Sequence, residues 1–165
     1  MKKGNIKKAN NTDSLKFDIN VVKQFIRDNK TAKLYIGCDS IRLKTKVKFA
    51  TVICIHYEGL HGAKVFGDIT YKDVKDDNLS KPINRMLTEV SLVIDMYNRL
   101  EDVLIERIDD LQVHLDINPD KDEGSNVAYG SAMGMIKGTI GITPLMKPEA
   151  FSASFCADRY CRIGL

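Results

Sequence analysis

The spacing of hydrophobic and polar positions changes period repeatedly along the chain, and each change marks the edge of an element. From Asp18, a capping residue, Ile19, Val22, Phe25 and Ile26 form one apolar stripe, which predicts a short helix ending near Asp28 to Lys30. Lys33–Ser40, KLYIGCDS, then reads as a strand. Leu34, Tyr35 and Ile36 are strand formers, and small Gly37 and Cys38 leave little bulk before the carboxylate of Asp39. The alternating, basic SIRLKTKVK suits the far end of a hairpin into a second strand, Lys48–Tyr57. There Phe49, Thr51, Ile53, Ile55 and Tyr57 alternate with Ala50, Val52, Cys54 and His56, and both sets are largely apolar, as in a strand covered on both faces. After the turn segment EGLHGAK, Lys64–Tyr71 predicts a third strand and completes an antiparallel meander.

The polar stretch KDVKDDNLSKP opens a long helix, with Asn78 or Ser80 as cap and Pro82 in the first turn. Ile83, Leu87, Val90, Ile94, Tyr97 and Leu100 step by three or four and define its expected buried stripe. Period two returns in Leu111–Asn118, where Leu111, Val113, Leu115 and Ile117 point one way and Gln112, His114 and Asp116 the other. A helix between two strands is the sequence form of a right-handed crossover, so this fourth strand is expected to run parallel to an earlier one. Past the polar loop PDKDEGSN, Ser125 is placed to cap a helix over Asn126–Lys137, in which Gly130, Gly134 and Gly138 are expected to let the backbone approach the sheet. Ile142–Met146 reads as a fifth strand, Pro148 breaks the chain, and FSASFCADRYCR predicts a last helix.

Chemistry enters with the acids. Asp39 and Asp116 both end apolar strands, and carboxyl ends of strands are where open α/β sheets meet ligands. If the two strands are neighbours, the carboxylates repel unless a divalent cation lies between them. Glu89 lies beside the stripe of the long helix, flanked by Met86 and Val93, and is desolvated there unless a cation meets it; an ordinary boundary glutamate is the plainer reading. His114 shares the face of Asp116, but a single histidine two residues away reads first as a packed core residue. Asp158 with Arg159 on the last helix reads by itself as a surface pair. No GxxxxGK[ST] or GxGxxG follows a strand, so nucleoside-triphosphate and dinucleotide readings lack a motif.

Composition narrows the class. With 165 residues, 44% hydrophobic and 28% charged, the chain has the balance of one folded domain, expected over residues 18–165 behind a flexible arm, 1–17. No apolar run approaches the roughly 20 residues of a membrane span. The lysines of MKKGNIKKANNTDS have no apolar stretch behind them, so a secretion signal is not expected and a cytoplasmic location is. Cys38, Cys54, Cys156 and Cys161 match no zinc spacing and are expected as reduced thiols. Residues 1–33 carry nine Lys or Arg against three acids, a balance of +6 that leaves −3 on the rest. Such an arm serves equally as a phosphate contact or as a solvated tail.

The four acids on separate elements, in a β-β-β-α-β-α-β-α order, resemble the ribonuclease H superfamily, and within it the YkuK-type family of ribonuclease H-like proteins. The resemblance covers most of residues 33–162. It is carried by IGCDS around Asp39, RMLTEVSLV around Glu89, VHLDIN around Asp116 and KPEAFSASFCADRYCR around Asp158. Where the family usually has Gln after the Asp-Ser pair this chain has Ile41, and the position of Asp158 can be Asn. The resemblance implies an α/β fold with a five-stranded mixed sheet, a three-strand antiparallel meander plus two parallel strands, flanked by helices. It also implies a nuclease for RNA, DNA or a hybrid, using two Mg or Mn ions roughly 3.5 to 4 Å apart. Asp39 would bridge them, Asp116 and Glu89 would each hold one side, and Asp158 would complete the second site. Lys2, Lys3, Lys7, Lys8, Lys44, Lys46 and Lys48 are the candidate phosphate contacts. The alternative is a module that binds nucleic acid or a protein partner without cutting, and a third reading is exonuclease or resolvase activity on structured DNA.

Overall fold

A computed structural model of the protein describes residues 17–57, 59, 62–118 and 128–163. The arm lysines Lys2, Lys3, Lys7 and Lys8, the loop PDKDEGSN and its Ser125 cap lie outside the described residues. The elements are α1 (Ile19–Asp28), β1 (Lys33–Arg42), β2 (Lys46–His56), β3 (Ala63–Asp73), α2 (Pro82–Leu104), β4 (Leu111–Leu115), α3 (Tyr129–Ile140) and α4 (Asp158–Arg162), the last entered through a π-helical turn, Ser152–Ala157. One mixed sheet has the order β3-β2-β1-β4. The β1, β2 and β3 pairings are antiparallel, and β4 lies parallel to β1.

The sheet therefore has four strands among the described residues, and the fifth is reduced to a single bridge between Leu145 and His114. Leu145 N–H donates to Val113 O at 2.8 Å, Leu115 N–H to Leu145 O at 2.9 Å, and Lys147 N–H to Ile117 O at 3.1 Å. The segment thus follows β4 in the expected parallel direction. Pro144 and Pro148 bracket it, and a residue without an N–H restricted to one φ shortens a strand at the sheet's edge.

Two faces of the sheet are covered by different parts of the chain. Leu34, Ile36 and Cys38 pair with Ile55, Ile53 and Thr51, and the apolar members join Val90, Val93, Met96 and Leu100 of α2 in the core. On the other face Tyr35, Gly37 and Asp39 pair with Cys54, Val52 and Ala50 beneath the π-helical turn and α4. Both faces of β2 are buried as its two apolar sets require. In α1, Val22 and Ile26 are buried, the Asp18 carboxylate caps the Asn20 N–H at 2.9 Å, and Lys23 and Arg27 reach Asp102 at 2.7 and 3.2 Å. Arg107 ties the end of the crossover to the α1–β1 link, donating to Asn29 O at 3.1 Å and to Ala32 O.

Three expectations change in detail. Neither Asn78 nor Ser80 caps α2; Lys81 is the N-cap residue, and the Ser80 hydroxyl donates instead to Asn78 Oδ1 at 2.7 Å. The fully buried stripe of α2 is Val90, Val93, Met96, Tyr97, Leu100, Val103 and Leu104, with Ile83, Leu87 and Ile94 only partly buried at its margin. The glycines of α3 do not face the sheet: Gly130, Gly134 and Gly138 lie on the exposed side, and a Cβ on any of them meets nothing within 4 Å, while Ala132, Ile136 and Ile140 are buried. The close approach happens at Gly67 of β3, where a Cβ would enter the ring of Tyr160. Tyr160 also donates its hydroxyl to Val65 O at 3.1 Å, so α4 is clamped across β3.

The two glycine environments predict opposite responses to one substitution. Gly134→Ala should stabilise the protein by about 0.5 to 1 kcal/mol through helix propensity. Gly67→Ala should destabilise it by about 1 to 3 kcal/mol through overpacking, a loss reduced when combined with Tyr160→Ala. Urea unfolding of Gly134→Ala, Gly67→Ala, Tyr160→Ala and the Gly67→Ala/Tyr160→Ala double variant measures both.

Candidate carboxylate site

The parallel pairing of β1 with β4 ends at Cys38 opposite Leu115. The next residues on the two chains are Asp39 and Asp116, so the register delivers both acids side by side at one end of the parallel pair. Asp39 is not at the end of its own strand, because β1 runs on to Arg42 in the hairpin with β2, where Asp39 pairs with Ala50. Both acids are half-buried on the face that the π-helical turn and α4 cover. Cys161 of α4 donates its thiol to Asp39 O at 3.2 Å, which seats that helix against the strand.

Glu89 approaches from α2 on the opposite side, and Ser40 connects it to the first acid. The Ser40 N–H donates to Asp39 Oδ1 at 2.8 Å, and its hydroxyl donates to Glu89 Oε1 at 2.6 Å. Asp158, the first residue of α4, lies near enough that its charge acts on Asp39. Burial, followed by the charges of Asp116 and Asp158, pushes the Asp39 carboxyl up to about 6 against the pull of the Ser40 N–H. Burial likewise pushes Glu89 up to about 8; the Ser40 hydroxyl opposes this, and the charges of Asp39 and Asp116 add to it. All four acids therefore sit in one electrostatic neighbourhood.

Two of them have cations of their own. Lys147 Nζ lies 2.9 Å from Asp116 Oδ1, and the Ser154 hydroxyl donates to the same oxygen at 2.9 Å. Arg162 Nε donates to both oxygens of Asp158, at 2.8 and 2.9 Å. Arg159, the neighbour that the sequence suggested as partner, is exposed. With the side chains turned onto these partners, no group of three or more His, Cys, Asp or Glu among the described residues is gathered closely enough to hold a metal ion. The donor chemistry still suits a hard divalent cation, since every acid offers oxygen and two of them carry charge that their surroundings disfavour.

Sequence reasoning missed Ser40, Ser154, Lys147 and Arg85. Ser40 and Ser154 lie in the strings IGCDS and KPEAFSASF, where the acids are the more conspicuous residues, and Lys147 opens the second of these. Arg85 lies one helical turn before Glu89 and draws its carboxyl down, while its own Nε is buried without a hydrogen-bond partner. His114 is fully buried, with Ser152 N–H donating to its Nδ1 at 3.1 Å and its Nε2 3.3 Å from Gln112 Oε1. Its ring packs against Tyr35 and Phe151, and burial alone lowers it to about 4, so it is a neutral packing residue. Lys44 and Lys46 are exposed at the β1–β2 turn. Lys48 is withdrawn from the phosphate contacts: it is only 4% exposed and donates to Ile163 O at 2.6 Å.

A mixed sheet whose central antiparallel strand and parallel neighbour carry adjacent acids, with further acids supplied by a crossover helix and a final helix, defines a ribonuclease H-like architecture. The chain belongs to the ribonuclease H-like family, whose model matches residues 19–162. No curated protein and no solved structure matches the chain. Family membership points to a function connected with nucleic acid. Among the described residues no helix is long and apolar enough to cross a membrane.

The raised Glu89 carboxyl has a consequence for stability in metal-free solution. Its folded value, about 8, exceeds the ordinary 4.5, so the fold holds a proton that the unfolded chain releases between those values. That contribution is complete below pH 4.5 and is lost as pH rises through 8. Glu89→Gln keeps an acceptor for Ser40 and mimics the protonated acid. Thermal unfolding in EDTA should show the variant several degrees more stable than wild type at pH 9, with the difference shrinking toward pH 4.5.

Proposed function

We propose that the protein is a divalent-cation-dependent phosphodiester hydrolase acting on RNA, DNA or a hybrid. The single observation that carries this reading is the convergence of acids from separate elements: the β1–β4 register sets Asp39 beside Asp116, and Ser40 hydrogen-bonds both Asp39 and Glu89. Carboxylates that are desolvated by burial and also repel one another gain most from a cation brought among them. Asp39, Glu89, Asp116 and Asp158 would hold Mg or Mn, in keeping with an all-oxygen donor set. Bound there, the ions would acidify a water for in-line attack and offset charge on the leaving oxygen.

The chain's own groups supply orientation. Ser40 fixes one oxygen of Asp39 and one of Glu89, and Ser154 fixes one of Asp116, so their remaining oxygens are presented from restrained side chains. Lys44 and Lys46, together with the arm lysines Lys2, Lys3, Lys7 and Lys8, would contact phosphates and contribute affinity without base choice. Nucleic acid is the partner on this reading.

One observation favours the alternative of a module that binds nucleic acid or a protein without cutting it. Lys147 and Arg162 already neutralise Asp116 and Asp158 from within the chain. The two readings give different outcomes with purified protein and Mn or Mg on a panel of RNA, DNA, hybrid and branched substrates. Hydrolysis is expected, and Asp39→Asn should abolish it, at least about a thousandfold, while leaving the melting temperature unchanged or higher. No cleavage of any substrate, together with no rise in melting temperature on adding Mn, would leave the binding module as the function.

A further inference from the structure

Resting on the metal reading above, we propose that Lys147 is a built-in competitor for the divalent cation: its ammonium holds Asp116 in the metal-free protein and must leave before the site loads. The backbone of Lys147 is fixed beside the end of β4 by its N–H bond to Ile117 O at 3.1 Å, and Pro148 follows directly. The stem starts from a set place, and the ammonium reaches Asp116 Oδ1 at 2.9 Å. Its positive charge also acts on Asp39, so it lies among the acids and not merely against one of them. The side chain is nevertheless 44% exposed.

These features describe a replaceable contact. An ammonium on a flexible stem is a point charge with rotatable donors, so it can let go of a carboxylate that a planar guanidinium would grip through two bonds. A partly exposed pair of this kind contributes little to stability, so the fold does not depend on it. Asp116 keeps its Ser154 bond when the lysine leaves, which holds the carboxylate in place. An ammonium and a divalent ion repel at this range, so occupation by one opposes the other, and the coupling is reciprocal.

Isothermal titration of the full-length, metal-free protein with Mn alone tests this in wild type, Lys147→Met, Lys147→Arg, Asp39→Asn and Asp116→Asn, with melting temperatures recorded for each. Lys147→Met should bind Mn at least about tenfold tighter than wild type, without a fall in its metal-free melting temperature, whereas Lys147→Arg should bind no tighter. Unchanged or weaker binding by Lys147→Met, with Asp39→Asn and Asp116→Asn losing affinity, overturns the role of Lys147 and leaves the metal reading standing. Equal affinity in Asp39→Asn, Asp116→Asn and wild type, or no binding by either wild type or Lys147→Met, overturns both.

Discussion

Everything at the candidate site depends on one pairing, the parallel register of β4 against β1. Because side chains alternate faces along a strand, a slip of one residue would turn Asp116 to the α2 side and leave His114 facing away from Tyr35 and Phe151. A parallel neighbour also demands a crossover, and α2 is that crossover. The helix that makes the pairing topologically feasible therefore also carries Glu89. Hydrophobic burial along Val90, Val93 and Leu100 fixes α2 on the sheet, and that in turn fixes how far Glu89 stands from Ser40.

The acids gathered this way are met by two kinds of compensation. Ser40 and Ser154 supply hydrogen bonds that leave the net charge unaltered, whereas Lys147 and Arg162 change it. Asp39 and Glu89 receive mainly the first kind, and theirs are the carboxyls raised above the ordinary range. The charge is thus least compensated toward β1 and α2 and best compensated toward β4 and α4.

The strands of the meander, the crossover and the parallel fourth strand were legible in the sequence because each has a distinct period, and Asp39 and Asp116 stood out because they follow apolar runs, whereas Glu89 read first as an ordinary boundary glutamate and stood out only through the family resemblance. What the sequence hid was pairing between distant segments. The shortening of the fifth strand to a bridge at Leu145 had a local sign in Pro144 and Pro148, whereas nothing local to Gly67 says that Tyr160 covers it. The glycine spacing in α3 was legible as a row but not as to which side it faced. Lys48 looked like the other hairpin lysines because alternation alone does not show that α4 roofs that face. Lys147 went unread for the same reason: its partner lies 31 positions earlier in the chain.

The clamp of α4 over the sheet has a bearing on when the site comes into being. Cys161 contacts Asp39 across 122 positions, and Tyr160 contacts Val65 across 95. During synthesis, Asp39, Glu89 and Asp116 leave the ribosome well before the residues that supply Lys147, Ser154 and Asp158, while the sheet face that carries Asp39 and Asp116 stays open to water. The nascent protein thus has its acidic strands before it has their roof. Completion of the carboxylate cluster waits on α4, as expected where the contacts that build it span most of the chain.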